Sequence, residues 1–259
     1  MIKAIFISDA HLKRATDGRY RRLISFFDDV REASGQIIIE NEGGEKKLGA
    51  VDDLYIVGDL FDFWFCDREI INPEFVMVIN KLIELQEAGI RIHLGEGNHD
   101  FFLKEYFHDV LGMDVFTEWA DVKLDNMSAL IGHGDTADQA NVKYLLFRKM
   151  LRSRLFYNFQ QIIPARIRWA LAGFSSRASK GMTIEAGDEL VEKMRAFAVN
   201  KFREGYDAVI VGHCHKPVLR HYMVADRRKT FVALGDWINH QSFLYYENRN
   251  FFLGYYRPD

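Results

Sequence analysis

VIVGHCHKPV, residues 209–218, runs from an apolar stretch into a glycine and then sets His213 and His215 on either side of Cys214. Two readings fit it: a buried strand meeting solvent at a polar turn, or a strand end that offers two imidazoles to a metal. If the segment is extended, alternate side chains share a face, so the histidines point together and the Cys214 thiol points away. The choice between the readings rests on the rest of the chain.

The same grammar recurs. Short apolar runs of strand type cover 2–8 (IKAIFIS), 54–58 (LYIVG), 90–95 (IRIHLG) and 128–133 (SALIGH), each closing on Ser, Gly or His. Helical patterns lie between the early ones, RYRRLISFFDDVREA (19–33) and PEFVMVINKLIELQEAG (73–89), the second with Pro73 at its start and Gly89 past its end. Alternating strand and helix predicts an α/β fold. Beyond about residue 215 the pattern becomes strand-like pieces separated by DRRK and NRN turns, which predicts antiparallel hairpins in a mixed sheet. Residues 36–50 read as a surface loop or hairpin excursion. FDFWF (61–65) reads as core.

Composition narrows the function. The chain has 259 residues, is 48% hydrophobic and carries a net charge of -3, so it can bury a sizeable core and has no global attraction to nucleic acid. Cys66 and Cys214 are its only cysteines and are far apart, which argues against a disulfide framework and for a reducing compartment. No signal-like or membrane-spanning stretch is evident, so a cytoplasmic location is expected.

The strand ends carry chemistry. Asp9 and His11 follow the first run (SDAH), Asp59 the second (GDLFD), Asn98 and His99 the third (GNHD), and His133 the fourth (GHGD). In α/β sheets functional groups gather beyond the carboxyl ends of strands, so these residues can meet at one edge. Oxygen and imidazole donors without thiolates suit Mn²⁺, Fe or Zn²⁺ better than a structural zinc site. Asp62 and Asp135 either orient such ligands or cap turns, and His93, His108, His221 and His240 stand outside any motif and read as structural.

From Gln139 to Ile184 the chain carries nine Lys or Arg residues and no Asp or Glu, interleaved with aromatic and aliphatic side chains. The segment 138–183 predicts two or three helices, broken at Pro164 and Gly173, that interrupt the α/β core of 1–137 and 184–259 as an inserted cap. Such helices suit a ligand with an anionic head and an apolar body, or an anionic membrane surface; a solvated basic face over ordinary core is the alternative.

DxH, GDxxD, GNHD, GH and GHxH in this order resemble the calcineurin-like metallophosphoesterases. The resemblance implies a four-layer αββα sandwich with two mixed sheets and an inserted helical cap. It implies one divalent ion held by Asp9, His11, Asp59 and His215, and a second by Asp59, Asn98, His133 and His213, with water activated between them for in-line attack on phosphorus. By analogy His99 assists at the leaving oxygen, with Asp100 as its orienting partner. FRKMLRSRLFYNFQQIIPARIRWALA followed by SSRASK, together with YIVGDLFDFW, GHGDT and ALGDW, is further similar to the UDP-2,3-diacylglucosamine hydrolases of lipid A biosynthesis.

That similarity implies hydrolysis of a nucleoside-diphosphate lipid to UMP and diacylglucosamine 1-phosphate, with Mn²⁺ the usual metal. It also implies peripheral contact with the inner face of an anionic membrane rather than with nucleic acid. Asn98, Asn141, Arg148, Ser179 and Lys180 are then candidate substrate contacts. Two positions depart from the pattern: GNHD stands where that family has GNRD, and the acidic pair after HGDT is absent, with Asp138 and Asn141 nearby. GNHD also suits a phosphoesterase acting on a nucleotide, nucleic acid or other phosphoester.

Overall fold

The computed structural model describes residues 1–35, 37–41, 44–64, 66, 70–164, 167, 169 and 187–257. Ser179, Lys180 and Gly173 lie outside the described residues.

In chain order the elements are β1 (Lys3–Ile7), α1 (Gly18–Glu32), β2 (Ile38–Asn41), β3 (Gly44–Lys47), β4 (Asp53–Val57), α2 (Val76–Glu87), β5 (Arg91–Gly95), β6 (Asp114–Phe116), β7 (Ala120–Leu124) and β8 (Met127–Gly132). They continue with α3 (Val142–Leu151), α4 (Arg154–Ile162), α5 (Gly187–Arg203), β9 (Ala208–Val211), β10 (Pro217–Val224), β11 (Arg227–Leu234), β12 (Ser242–Glu247) and β13 (Asn250–Tyr255). One sheet has the order β13-β12-β1-β4-β5-β6 and the other β10-β11-β9-β8-β7; β2 and β3 form the hairpin expected in 36–50.

Burial explains why the inner strands are mostly apolar. Along β1, Ala4 and Phe6 join a cluster with Ala129, Ile131, Ala208, Ile210 and Val232, which is the seam between the two sheets. Ile5 and Ile7 face the other way, into a cluster with Leu23, Phe26 and Phe27 of α1 and Val78, Ile79, Leu82 and Leu85 of α2. The outer face of the second sheet, including Val209, Val211 and Phe231, packs on Val191, Met194, Ala198 and Phe202 of α5. Helix, sheet, sheet, helix is the four-layer order the resemblance implies. Each buried aliphatic or aromatic side chain in these layers contributes about 1.5–3 kcal/mol.

Local signals place the helix ends. The Asp17 side chain accepts from Arg19 N at the start of α1. Asn72 caps a short 3-10 turn at Pro73–Phe75 that leads into α2, and Gly89 follows α2 with φ +92°. β6, β7 and α5 lie outside the strand and helix patterns picked out above. Helix α4 ends at Ile162, just before Pro164 as expected, and a further break falls at Ser153, whose hydroxyl accepts from Phe156 N and starts α4.

Asp53, at the start of β4, is a structural charge. Burial alone would raise its carboxyl, but hydrogen bonds from Arg91 (2.7 and 2.6 Å) and His93 (2.8 Å) hold it below the ordinary 3.8. A carboxylate so depressed contributes stability above the unfolded-state value and loses it as the pH falls through the folded-state value. Asp53→Asn is therefore expected to cost about 1–2 kcal/mol at neutral pH, the low end for a charged hydrogen-bonded pair because Arg91 is largely exposed. Denaturant titrations should show the gap between variant and parent closing below about pH 4; a gap that persists undiminished at pH 2–3 would contradict the account.

The register sets the site. β1, β4 and β5 are parallel, with Ile7 opposite Ile56 and Val57 opposite Gly95. β8, β9 and β11 are parallel too, with Gly132 opposite Val211 and Val211 opposite Ala233. The carboxyl ends of these six strands therefore come out along one edge of the sandwich. Among the described residues no helix is long and apolar enough to cross a membrane.

Candidate metal centre

The loops leaving these strand ends are tightly constrained. Asp9 N and His11 N donate to the Gly58 and Asp59 carbonyls (3.1 and 2.9 Å), prolonging the pairing of β1 with β4 past the strands themselves. Asp9, His11, Asp59, His213 and His215 all have positive φ, between 45° and 65°. For non-glycine residues this is uncommon, and its clustering marks a functional site. It corrects one expectation: His213 and His215 lie in left-handed turns rather than on an extended segment. The Cys214 thiol is nonetheless kept away, buried in the α5-facing cluster, and burial pushes its pKa up to about 12.

The resulting arrangement has two halves that share Asp59. His215 Nε2 is 3.3 Å and His11 Nε2 3.9 Å from Asp9 Oδ1. On the other side Asn98 Oδ1 is 3.0 Å from His133 Nε2, and the His213 ring lies 5.0 Å from the His133 ring. Asp59 Oδ2 stands between, 3.6 Å from His11 Nε2 and 3.5 Å from His133 Nε2, while its Oδ1 accepts from His99 N (2.9 Å). The geometry thus brings all seven expected ligands together.

Three of the four imidazoles are held from behind. His133 Nδ1 faces the Val57 carbonyl (3.1 Å), His215 Nδ1 the Asp236 carboxylate (3.5 Å) and His11 Nδ1 the Asp62 carboxylate (3.8 Å). All three turn Nε2 inward, the arrangement that fixes ring orientation in metal sites. Asp62 therefore orients a histidine, and Lys13 Nζ lies 2.8 Å from its other oxygen. Asp236 is a site residue missed in the sequence, although LGD at 234–236 repeats the apolar-run, Gly, Asp pattern of 56–59. It also receives His240 Nδ1 at 3.3 Å, so His240 belongs to the rim of the site rather than to remote structure.

Electrostatics favour cations here. Burial drives the His11 and His213 pKa values down to about 3 and 4, leaving neutral rings with free lone pairs. Burial opposes charge on His133 as well, but Asp59 and Asp9 hold its pKa up at about 10. Among the described residues, the buried Asp9 Oδ1 and His11 Nε2 atoms have no hydrogen-bond partner. Buried polar atoms are rarely left so. Asp9, His11 and His215 on one side, and Asp9, Asp59 and His133 on the other, bring their donor atoms within 4.8 Å of one another. An all-oxygen-and-imidazole set of this kind fits a divalent ion, and two fit better than one.

Three expected roles change. The Asp100 carboxylate accepts from Asp59 N, Gly97 N and Phe61 N (2.9, 2.9 and 3.1 Å), so it braces two ligand loops rather than orienting His99. His99 Nδ1 is held instead by the Asp62 carbonyl (3.0 Å). Arg148 is engaged by Asp135 (2.6 Å) and Glu118 (2.7 Å), and Tyr144 also donates to Asp135 (2.8 Å), so Asp135 is an anchor for α3. The Asn141 side chain accepts from Tyr144 N and caps α3.

A family model described as calcineurin-like phosphoesterase matches residues 2–217. Three curated proteins named UDP-2,3-diacylglucosamine hydrolase are similar over most of their length. The one from Nitrosococcus oceani is 28% identical, covering 90% of this chain and 86% of that one. The one from Aliivibrio fischeri is 30% identical, covering 78% and 84%, and the one from Neisseria gonorrhoeae 28%, covering 92% and 91%. A match of this extent, with the strand-end histidines and carboxylates converging as they do, places the chain in the calcineurin-like phosphoesterase family of hydrolases.

Proposed function

We propose that this chain hydrolyses the diphosphate bond of UDP-2,3-diacylglucosamine, releasing UMP and 2,3-diacylglucosamine 1-phosphate, at the cytoplasmic face of a membrane. The observation that carries the substrate reading is the pair of helices α3 and α4, beside the centre. They bury no apolar side chain and leave Leu146, Phe147, Met150, Leu155, Phe159 and Ile162 exposed, Leu155 at 82% and Ile162 at 80%. Apolar side chains so gathered mark a binding surface for an apolar ligand. Lys143, Lys149 and Arg154 on the same helices suit an anionic head. The names of the relatives point to the same substrate class.

In this reading Asp9, His11, Asp59 and His215 hold one ion, and Asp59, Asn98, His133 and His213 the other, with Mn²⁺ the metal. Bound divalent ions supply Lewis acidity and a lowered water pKa. The chain does the rest. Asp59 keeps both halves at one spacing through Oδ2. His99 Nδ1 is committed to the Asp62 carbonyl, so Nε2 is the atom that can hold a proton for the departing oxygen. Asp62 and Asp236 keep His11 and His215 aimed.

With Mn²⁺ and the intact glycolipid, chromatography of the products is expected to find UMP in stoichiometric amount with diacylglucosamine 1-phosphate. Hydrolysis of a simple phosphodiester without UMP release from the glycolipid would sink the substrate and leave the centre standing.

A further inference from the structure

Arg152, at the C-terminal cap of α3, crosses from the cap to the core. Its Nη1 donates to Glu96 Oε2 and to the Thr117 carbonyl (both 2.9 Å), its Nη2 to the Gly97 carbonyl (2.6 Å), and its guanidinium lies 5.6 Å from the Phe101 ring centroid. The other Glu96 oxygen accepts from Leu103 N (2.8 Å). Both side chains are nearly enclosed, at 11% and 4% exposure, so this is not a surface ion pair of small consequence.

The contact bears on the centre through one peptide plane. The Gly97 carbonyl and the Asn98 N–H belong to the same rigid unit. On the preceding side the Gly97 N–H is held by Asp100 Oδ1 (2.9 Å). The chain is therefore gripped on both sides of Gly97, once by the core and once by the cap. Directly beyond it, Asn98 Oδ1 reaches His133 Nε2 and His99 N reaches Asp59 Oδ1. Rotation of that plane would move both.

We propose that Arg152 is a positioning residue, backed by Glu96, through which the seated helix α3 sets the aim of Asn98 and His99. Completion of the metal centre is thereby tied to docking of the cap. The inference rests on reading Asn98 as a metal ligand. Arginine suits the task because its planar fork serves Glu96 and the Gly97 carbonyl at once, which a lysine ammonium cannot do in the same geometry.

The test uses the full chain, with Arg152→Met, Arg152→Lys and Glu96→Gln compared with the parent by Mn²⁺ titration calorimetry without substrate and by steady-state kinetics. In Arg152→Met one of two Mn²⁺ sites is expected to weaken roughly 10–100-fold and kcat to fall by a similar factor, as for lost partners behind metal ligands. KM should stay within about threefold, because the residue does not bind substrate. Arg152→Lys is expected to fall between. Both ions bound with parental affinity at unchanged kcat, or an effect on KM alone, would overturn the proposal while leaving the centre intact. A parent chain that takes up no divalent ion would bring down the centre and the proposal with it. If Arg152→Met does not fold, Glu96→Gln decides by the same two readouts, since its remaining oxygen can still accept from Leu103 N.

Discussion

Replacing Asp59 by alanine is expected to reduce kcat by roughly 10³-fold or more, equivalent to about 4 kcal/mol of lost transition-state stabilisation. Its two oxygens have separate tasks: Oδ1 accepts from His99 N, and Oδ2 stands 3.6 and 3.5 Å from the inward nitrogens of His11 and His133. Alanine removes both the hydrogen bond and the carboxylate that stands between the two halves. Asp59→Asn separates the two, because its amide oxygen can keep the bond to His99 N while the negative charge is gone. Its activity should fall nearly as far, and Mn²⁺ titration should show fewer than two ions bound. Activity within tenfold of the parent in Asp59→Asn would refute a bridging carboxylate. Circular dichroism of the variants is expected to match the parent, since the strands beneath the loop bury their own apolar faces.

The methyl group of a Gly97→Ala substitution would collide with the Asp59 carboxylate and come within 2.6 Å of Asp59 N and 2.8 Å of Asp59 Cγ. Asp59 N cannot retreat cheaply, because Asp100 Oδ1 holds it and Gly97 N together at 2.9 Å each. Either the 96–99 loop lifts, taking Asn98 and His99 with it, or Asp59 moves off the midline. Overpacking of this kind costs about 1–3 kcal/mol. Activity is expected to fall roughly 100-fold or more, because a displacement near 1 Å at a reacting centre has that effect. A Gly49→Ala control, where an added Cβ meets nothing within 4 Å, should leave melting and turnover unchanged. A Gly97→Ala protein with parental kcat would show that the loop yields without disturbing Asp59.

Much of the architecture is legible in linear patterns. The inner strands are apolar where both faces are buried, with charged residues such as Asp53 and Arg91 at their starts, and each ends where Gly or Ser admits a turn bearing a ligand. The helices α1 and α2 carry apolar residues at helical spacing with caps of the expected type. α5 had a readable signal as well: Val191, Met194, Ala198 and Phe202 recur at helical intervals, and all four face the second sheet. Asp236 carried the same strand-end pattern as Asp59. The short β6 and half-exposed β7 were harder, since their side chains alternate or sit at an edge with little burial.

Other features have no local signature. Nothing in GHCH announces that both histidines take left-handed φ, because residues other than glycine adopt it only when surrounding contacts compel them. Asp100 sits beside His99 in sequence yet bonds to amides contributed by another strand's loop, and Arg148 meets Asp135 and Glu118 before it could meet a ligand. Periodicity and strand-end chemistry are short-range, set by a residue and its near neighbours, and so the class of fold, the seven candidate ligand positions and the cationic, apolar character of 139–184 are present in the order of residues. Which oxygen stands between the two halves, which carboxylate backs which imidazole and which arginine ties the cap to Gly97 depend on parallel register and packing between segments that can lie 204 residues apart, as Asp9 and His213 do. Those contacts exist only once six strand ends have been brought level along one edge of the sandwich.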